Sequence, residues 1–365
     1  MAGPLPRNLL LAAALLLAGF NLASTGAADT TGAGCTIRDV PGMGPACLLD
    51  NGLYEVFDPH GESLGTTHGL DPVPDPLFDA QMEAAAASAG MDASSQIECH
   101  DDDGSYHTIV FYARAHDDHN NGPGADRVRE LIHVAAALVD DAAKATGARA
   151  ALDLRCKDGD VEVIDLVLTT DKDDASFSTV VSELRAMGYD SGRNKHLVLY
   201  DDPGACGCGG LGHFIGDSSP GQGNANNGNA GPLYAMSFYY SASILLHELG
   251  HNMGAVQTNS PYTSGAAHCI DGRDIMCYND GGPTANQYSN RDCPHGAVWD
   301  CSKDDYFNAN PAPGSYLAEH WNIADPANRF VHIWDDDPIP SAQQLGCAVS
   351  SLLHESRVCE YHPLA

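Results

Sequence analysis

Five residues, His247-Glu248-Leu249-Gly250-His251, carry the clearest chemistry in the chain. Side chains four apart on an α-helix share one face, one turn above the other. His247 and His251 can therefore turn two imidazole nitrogens toward one metal ion, with the Glu248 carboxylate beside the metal rather than on it. Two ligands, an open position for water and a base for the water's proton are what a zinc hydrolase needs. The flanking Ile244, Leu245, Leu246 and Leu249 suit a buried helix that Ser241 or Ser243 caps and Gly254 ends. The opposing reading, a core helix whose histidines face water, fits this apolar context less well.

Beyond the helix, Gly254 follows His251 by three residues, and Asp274-Ile275-Met276-Cys277-Tyr278 lies further on. In these residues the chain resembles the metzincin clan of zinc endopeptidases: His247, Glu248, His251 and Gly254 match its long motif, and Met276 its Met-turn. The resemblance implies a structural role for Met276 under the metal. It also implies that Tyr278, placed as in the astacin and serralysin branches, stabilises an oxyanion; a merely packed aromatic is the alternative. The clan's third-ligand position is here Gln257, a neutral amide and a weak zinc ligand. His268 offers a replacement. A Cys269–Cys277 bridge would tie the residue after His268 to the residue after Met276, close to the same site. His268 is thus the expected third ligand and Gln257 the alternative; a loop histidine and a degenerate, non-catalytic site are the remaining readings.

The elements that must position these residues follow from periodicity. Strands are expected at His107–Ala113, Ala150–Arg155, Val161–Leu168 and His196–Tyr200, and helices at Asp126–Thr146 and Phe177–Met187. A short helix is expected at Gln81–Ala89 and another at Ser315–Trp321. Gly212–Gly216, inside the glycine-rich stretch 201–231, is the expected edge strand above a cleft, and His213 an ordinary polar loop residue. The fold class is α+β: a metzincin-like mixed, twisted sheet with two long helices and an active-site helix. Below it would lie a small, loop-rich lower subdomain stapled by disulfides.

The division expected is a signal peptide at 1–28, an N-terminal extension or propeptide at 29–104, the metallopeptidase domain at 105–334 and a disulfide-stapled tail at 335–365. Arg7, the apolar run Leu9–Phe20 and the small residues Gly26-Ala27-Ala28 make the signal. No cysteine motif for latching zinc is visible around Cys35, Cys47 or Cys99, so latency is not expected. Twelve cysteines in an exported chain read as disulfides. Proximity pairs Cys35 with Cys47, Cys99 with Cys156, Cys269 with Cys277, Cys293 with Cys301 and Cys347 with Cys359. Cys206 and Cys208 are too close for an easy bridge and are expected to pair elsewhere.

A net charge of −31 excludes nucleic acid and anionic membranes as partners. The cofactor expected is Zn2+. Ca2+ at the acidic stretches His100–Gly104 and Asp117–Asn121 is the weaker expectation, because the EF-hand spacing is absent and solvated loops suffice. The function implied is a secreted, extracellular, monomeric zinc endopeptidase acting on protein or peptide substrates, with Glu248 as general base. Hydrolysis of another amide, as in a cell wall, and an inactive secreted binding module are the alternatives.

Overall fold

The computed structural model describes residues 31–32, 35–88, 96–102, 104–118, 122–289, 291–293 and 298–335. The expected signal peptide, the expected tail beyond Asp335 and the expected Cys347–Cys359 pair lie outside them. The chain is a mixed α/β structure with a nine-stranded mixed sheet, in line with the α+β expectation. Strands β8 (His107–Ala115), β11 (Val163–Leu168), β12 (Asn194–Tyr200) and β14 (Leu233–Ser237) run parallel, and β13 (Gly210–Gly212) closes the edge antiparallel to β14. β9 (Ala148–Lys157) carries β7 (Ile97–His100), β10 (Asp160–Val161) and β15 (Val331–Asp335). The expected strand 161–168 is thus split in two, and the edge strand sits two residues earlier than its glycines suggested.

Alternation along β8 explains the layering. Val110 and Tyr112 point to one face, packed under α2 (Gly124–Lys144) and α4 (Ala242–Asn252); Ile109, Phe111 and Ala113 point to the other, under α3 (Phe177–Ala186). A strand buried on both faces is apolar at every position, as this one nearly is. On the α3 face the sequence hid a layer. After the short pair β1 (Thr31–Gly32) and β2 (Cys35–Thr36), β3 (Arg38–Val40), β4 (Gly44–Leu48), β5 (Tyr54–Phe57) and β6 (Ser63–Thr67) form an antiparallel sheet that sends Ala46, Val56 and Leu64, with Met43 of the β3–β4 turn, into that core. Helix α1 (Pro76–Ser88) then leads back toward α2 and α4.

Disulfides join Cys35–Cys47, Cys99–Cys156, Cys269–Cys277 and Cys293–Cys301 as proximity indicated. Cys206 and Cys208 pair with each other, correcting the expectation that each would bond elsewhere. Disulfides in this number fit an oxidising, extracellular setting. No helix among the described residues is long and apolar enough to cross a membrane.

Helix α4 is shaped at both ends. Ser241 caps its start, the hydroxyl accepting from the Ile244 N–H at 3.1 Å. Gly254 ends it at φ +83°, and a Cβ there would lie 2.7 Å from the Asn226 side chain and 2.9 Å from Trp321 Nε1. Gly254→Ala combines left-handed strain with overpacking. It should cost about 1–3 kcal/mol of unfolding free energy. Chemical denaturation checks this, and an unchanged midpoint would contradict the packing described.

Candidate metal centre

Helix α4 is buried along its whole length, so its polar side chains need partners inside the protein. His251 joins the other two rings: its Nε2 lies 3.0 Å from His247 Nε2 and 3.2 Å from His268 Nε2. The rear nitrogens of two rings are fixed. His247 Nδ1 donates to the Ile275 carbonyl at 2.6 Å, and His268 Nδ1 to Asp280 at 2.8 Å. With the proton held at Nδ1, each Nε2 presents a lone pair to the common point, the arrangement that metal-binding histidines adopt. Burial and the neighbouring rings hold His251 well below its ordinary pKa, so its imidazole is neutral. Burial also pulls His268 down, but Asp280 and Asp71 outweigh it and raise its pKa.

The turn after α4 makes this convergence. Cys269 and Cys277 are bridged and 4.2 Å apart at Cα, and the Cys269 N–H donates to the Met276 carbonyl. Met276 packs beneath the helix where Gly250 has no side chain: a Cβ at Gly250 would lie 2.9 Å from Met276 Sδ and 2.6 Å from the Trp299 ring. Gln257 is buried elsewhere. Its amide donates to the Gly254 carbonyl at 3.0 Å and the Ile215 carbonyl at 3.2 Å. Of the two candidate third ligands, His268 is therefore the one whose nitrogen meets the other imidazoles.

Two residues not anticipated enter from the N-terminal segment. Asp71 places Oδ2 2.9 Å from His247 Nε2 and Oδ1 3.3 Å from His268 Nε2. The Tyr278 hydroxyl donates to the same Oδ1. Burial alone would raise the Asp71 pKa, but the histidines hold it well below the usual carboxylate range. His68 stacks on His251 with ring centroids 3.7 Å apart, and its Nε2 accepts from the Gly212 N–H. Burial pushes His68 down to about 3, so its ring is neutral and no cation faces Glu248. Both Glu248 oxygens are buried without a donor, and burial together with the Asp71 charge pushes this carboxyl well above its ordinary value.

Backbone bonds seat Asp71. The Phe214 N–H donates to the Thr66 carbonyl, Thr67 bridges His213 antiparallel, the Asp71 N–H donates to Gly210 and the Gly209 N–H to Asp71. Residues 66–71 thus lie along the β13 edge as an added strand. His213 itself is buried, its Nδ1 accepting from the Tyr234 N–H, and is not the polar loop residue expected. Beside His247 a cavity of about 330 Å³ opens between Ile244, Ile275, Tyr288 and the chain Asp71–Asp75.

The donor set fits zinc. Ligands 2.0–2.2 Å from a tetrahedral ion lie roughly 3.3 Å from each other. The His251 Nε2 contacts with His247 and His268 and the imidazole contacts with the Asp71 oxygens, 2.9 to 3.3 Å, come close to that spacing. Lone pairs and a carboxylate crowded this closely repel unless a proton or a metal ion lies between them. On this assignment His268→Ala loses zinc, while Gln257→Ala keeps it at one per chain; metal analysis after gel filtration decides, and the reverse pattern would return Gln257 to the site.

No protein-family model matches the chain, and no curated protein matches it. Among solved structures it is similar to wild-type OgpA from Akkermansia muciniphila, at 12% identity over 44% of this chain and 51% of that one, with a TM-score of 0.26. It is similar as well to catalytically inactive OgpA in complex with an O-glycopeptide substrate, at 10% identity over 59% and 67%, TM-score 0.29. The chain spans about half the length of the first of these. Likeness so distant says nothing of the reaction.

Proposed function

We propose that the chain is a secreted zinc endopeptidase held latent by its own N-terminal segment. The observation that carries this reading is the convergence of His247, His251 and His268 on one point with Glu248 beside it. A zinc ion there would supply a water of lowered pKa and a Lewis acid for the scissile carbonyl. Once Asp71 and its charge have withdrawn, Glu248, buried and without a donor of its own, takes the water's proton and hands it to the leaving amine. The Tyr278 hydroxyl, which now donates to a carboxylate oxygen, has the geometry to donate to a developing oxyanion instead. The β13 edge binds the substrate backbone through the groups that residues 66–71 occupy in the latent chain.

Latency follows from the same contacts. Asp71 fills the position that water and substrate need, and its strand covers the edge. The sequence showed no cysteine latch; the latch proposed here is a carboxylate, and residues 29–71 act as a propeptide. The substrates are proteins or peptides, and no nucleic acid is involved.

The test is casein cleavage by the chain after limited proteolysis of its N-terminal segment. The reading expects cleavage that a zinc chelator stops and added zinc restores. Cell-wall turnover without casein cleavage would instead identify an amidase of another bond. Stoichiometric zinc with no turnover of either would identify a binding module.

A further inference from the structure

Away from the histidines, five aspartates are gathered under the Met276 turn: Asp271, Asp274, Asp300, Asp304 and Asp305. Two have their charge answered by the loop they organise. The Asp300 carboxylate accepts N–H groups from Asp304, Asp305, Tyr306 and Phe307. Asp274 accepts the Met276 and Cys301 N–H groups and the Tyr306 hydroxyl.

The other three have fewer donors. Asp271 is 4% exposed, and its Oδ2 has no donor. Its Oδ1 lies 3.2 Å from Cys277 Sγ, a disulfide sulfur with no proton to give. Asp304 Oδ1 is buried without a donor, and Asp305, 2% exposed, accepts the Tyr262 N–H. The backbone brings them together. Tyr262 donates to Asp305 and accepts from Ile270, the residue before Asp271, while Asp304 and Asp305 share the Asp300 loop. None of the ion pairs found among the described residues reaches these carboxylates. Lys303, inside the same loop, donates to the Ala145 carbonyl, and Arg291 Nε to the Asp271 carbonyl.

Buried carboxylates without a counter-charge are costly enough that proteins pair them or give them a metal. Here every donor is an oxygen: imidazole is absent from the group, and the nearby cysteines are bridged. That chemistry selects a hard cation, and several carboxylates on an irregular loop suit calcium better than the strict octahedron of magnesium. We propose that Asp271, Asp304 and Asp305 bind a calcium ion, with Asp300 adding charge from behind. The ion would brace the loop that carries Trp299 against Gly250 and Met276. It is distinct from the exposed group His116, Asp117 and Asp171.

Extracellular calcium modules bind at about 10⁻⁴–10⁻³ M, and this site should fall there or tighter.

The experiment is a calcium titration of the zinc-saturated full chain, followed by calorimetry and by thermal melting. One calcium per chain and a rise in Tm are expected. Asp271→Asn and Asp304→Asn should each weaken binding by about tenfold or more and remove the Tm rise, whereas Asp117→Asn should change neither. In calcium-free buffer the two variants should melt at or above the parent, because each takes one carboxylate out of a crowded acidic group. A parent that binds no calcium, or a calcium response that survives both substitutions, would overturn the proposal. Should either variant fold poorly, terbium emission sensitised through Trp299 in the unsubstituted chain decides: emission that calcium displaces supports the site, and its absence refutes it.

Discussion

Glu248→Gln should lower the turnover of casein by about 10²–10⁴-fold, the usual contribution of a positioned general base. The substitution keeps the shape of a buried side chain and removes only its ability to accept a proton. None of the contacts that gather His247, His251 and His268 passes through it, so zinc content and Tm should be retained. Steady-state kinetics on the proteolytically opened chain, with metal analysis of the same sample, checks both halves. Turnover that persists would remove Glu248 from the reaction. Turnover lost together with zinc would mean that it holds the site rather than acts in it.

Asp71→Ala should have the opposite effect on the uncut chain. Asp71, itself buried, meets two buried imidazoles and receives the partly buried Tyr278 hydroxyl. A charge-assisted contact of this kind is worth about 1.5–3 kcal/mol. Its loss corresponds to about a ten- to hundredfold rise in casein cleavage without prior proteolysis. The gain stops short of full activity because Thr66, Thr67 and the Asp71 backbone still cover the β13 edge. Complete release needs the strand to leave. An Asp71→Ala chain as inactive as its parent, and activated by the same nick to the same extent, would show that the carboxylate does not enforce latency.

The two halves of this account were unequally visible in the sequence. The Ser241 cap, the apolar run and the four-residue spacing of His247 and His251 are local, and helix α4 appeared where they placed it. His268 was reachable through the Cys269–Cys277 bridge, because a short disulfide loop converts nearness in sequence into nearness in space. Asp71 was not reachable in this way. It joins the centre through contacts made across the whole domain, and nothing periodic marks it. One local signal was present: Asp71 precedes Pro72 in a run that also holds Pro74 and Pro76, and a residue before proline is forced into extended backbone. An acidic residue held extended by prolines suits a strand laid along a sheet edge. Strands β3 to β6 were missed because each is three to five residues long and punctuated by Gly44, Gly52, Gly61 and Gly65, so no alternation lasts long enough to read. His213 was misplaced for a related reason: its glycine-rich neighbourhood reads as loop, while β14 and α3 in fact enclose it.

The central claim is that the three imidazoles hold one zinc ion, and zinc-edge X-ray absorption on the purified, uncut chain tests it most directly. The account predicts one zinc per chain with three imidazole nitrogens and carboxylate oxygen in its shell, the oxygen changing when Asp71 is replaced by Ala. A chain that takes up no zinc when it is supplied, or whose zinc shell lacks the imidazoles, would contradict it.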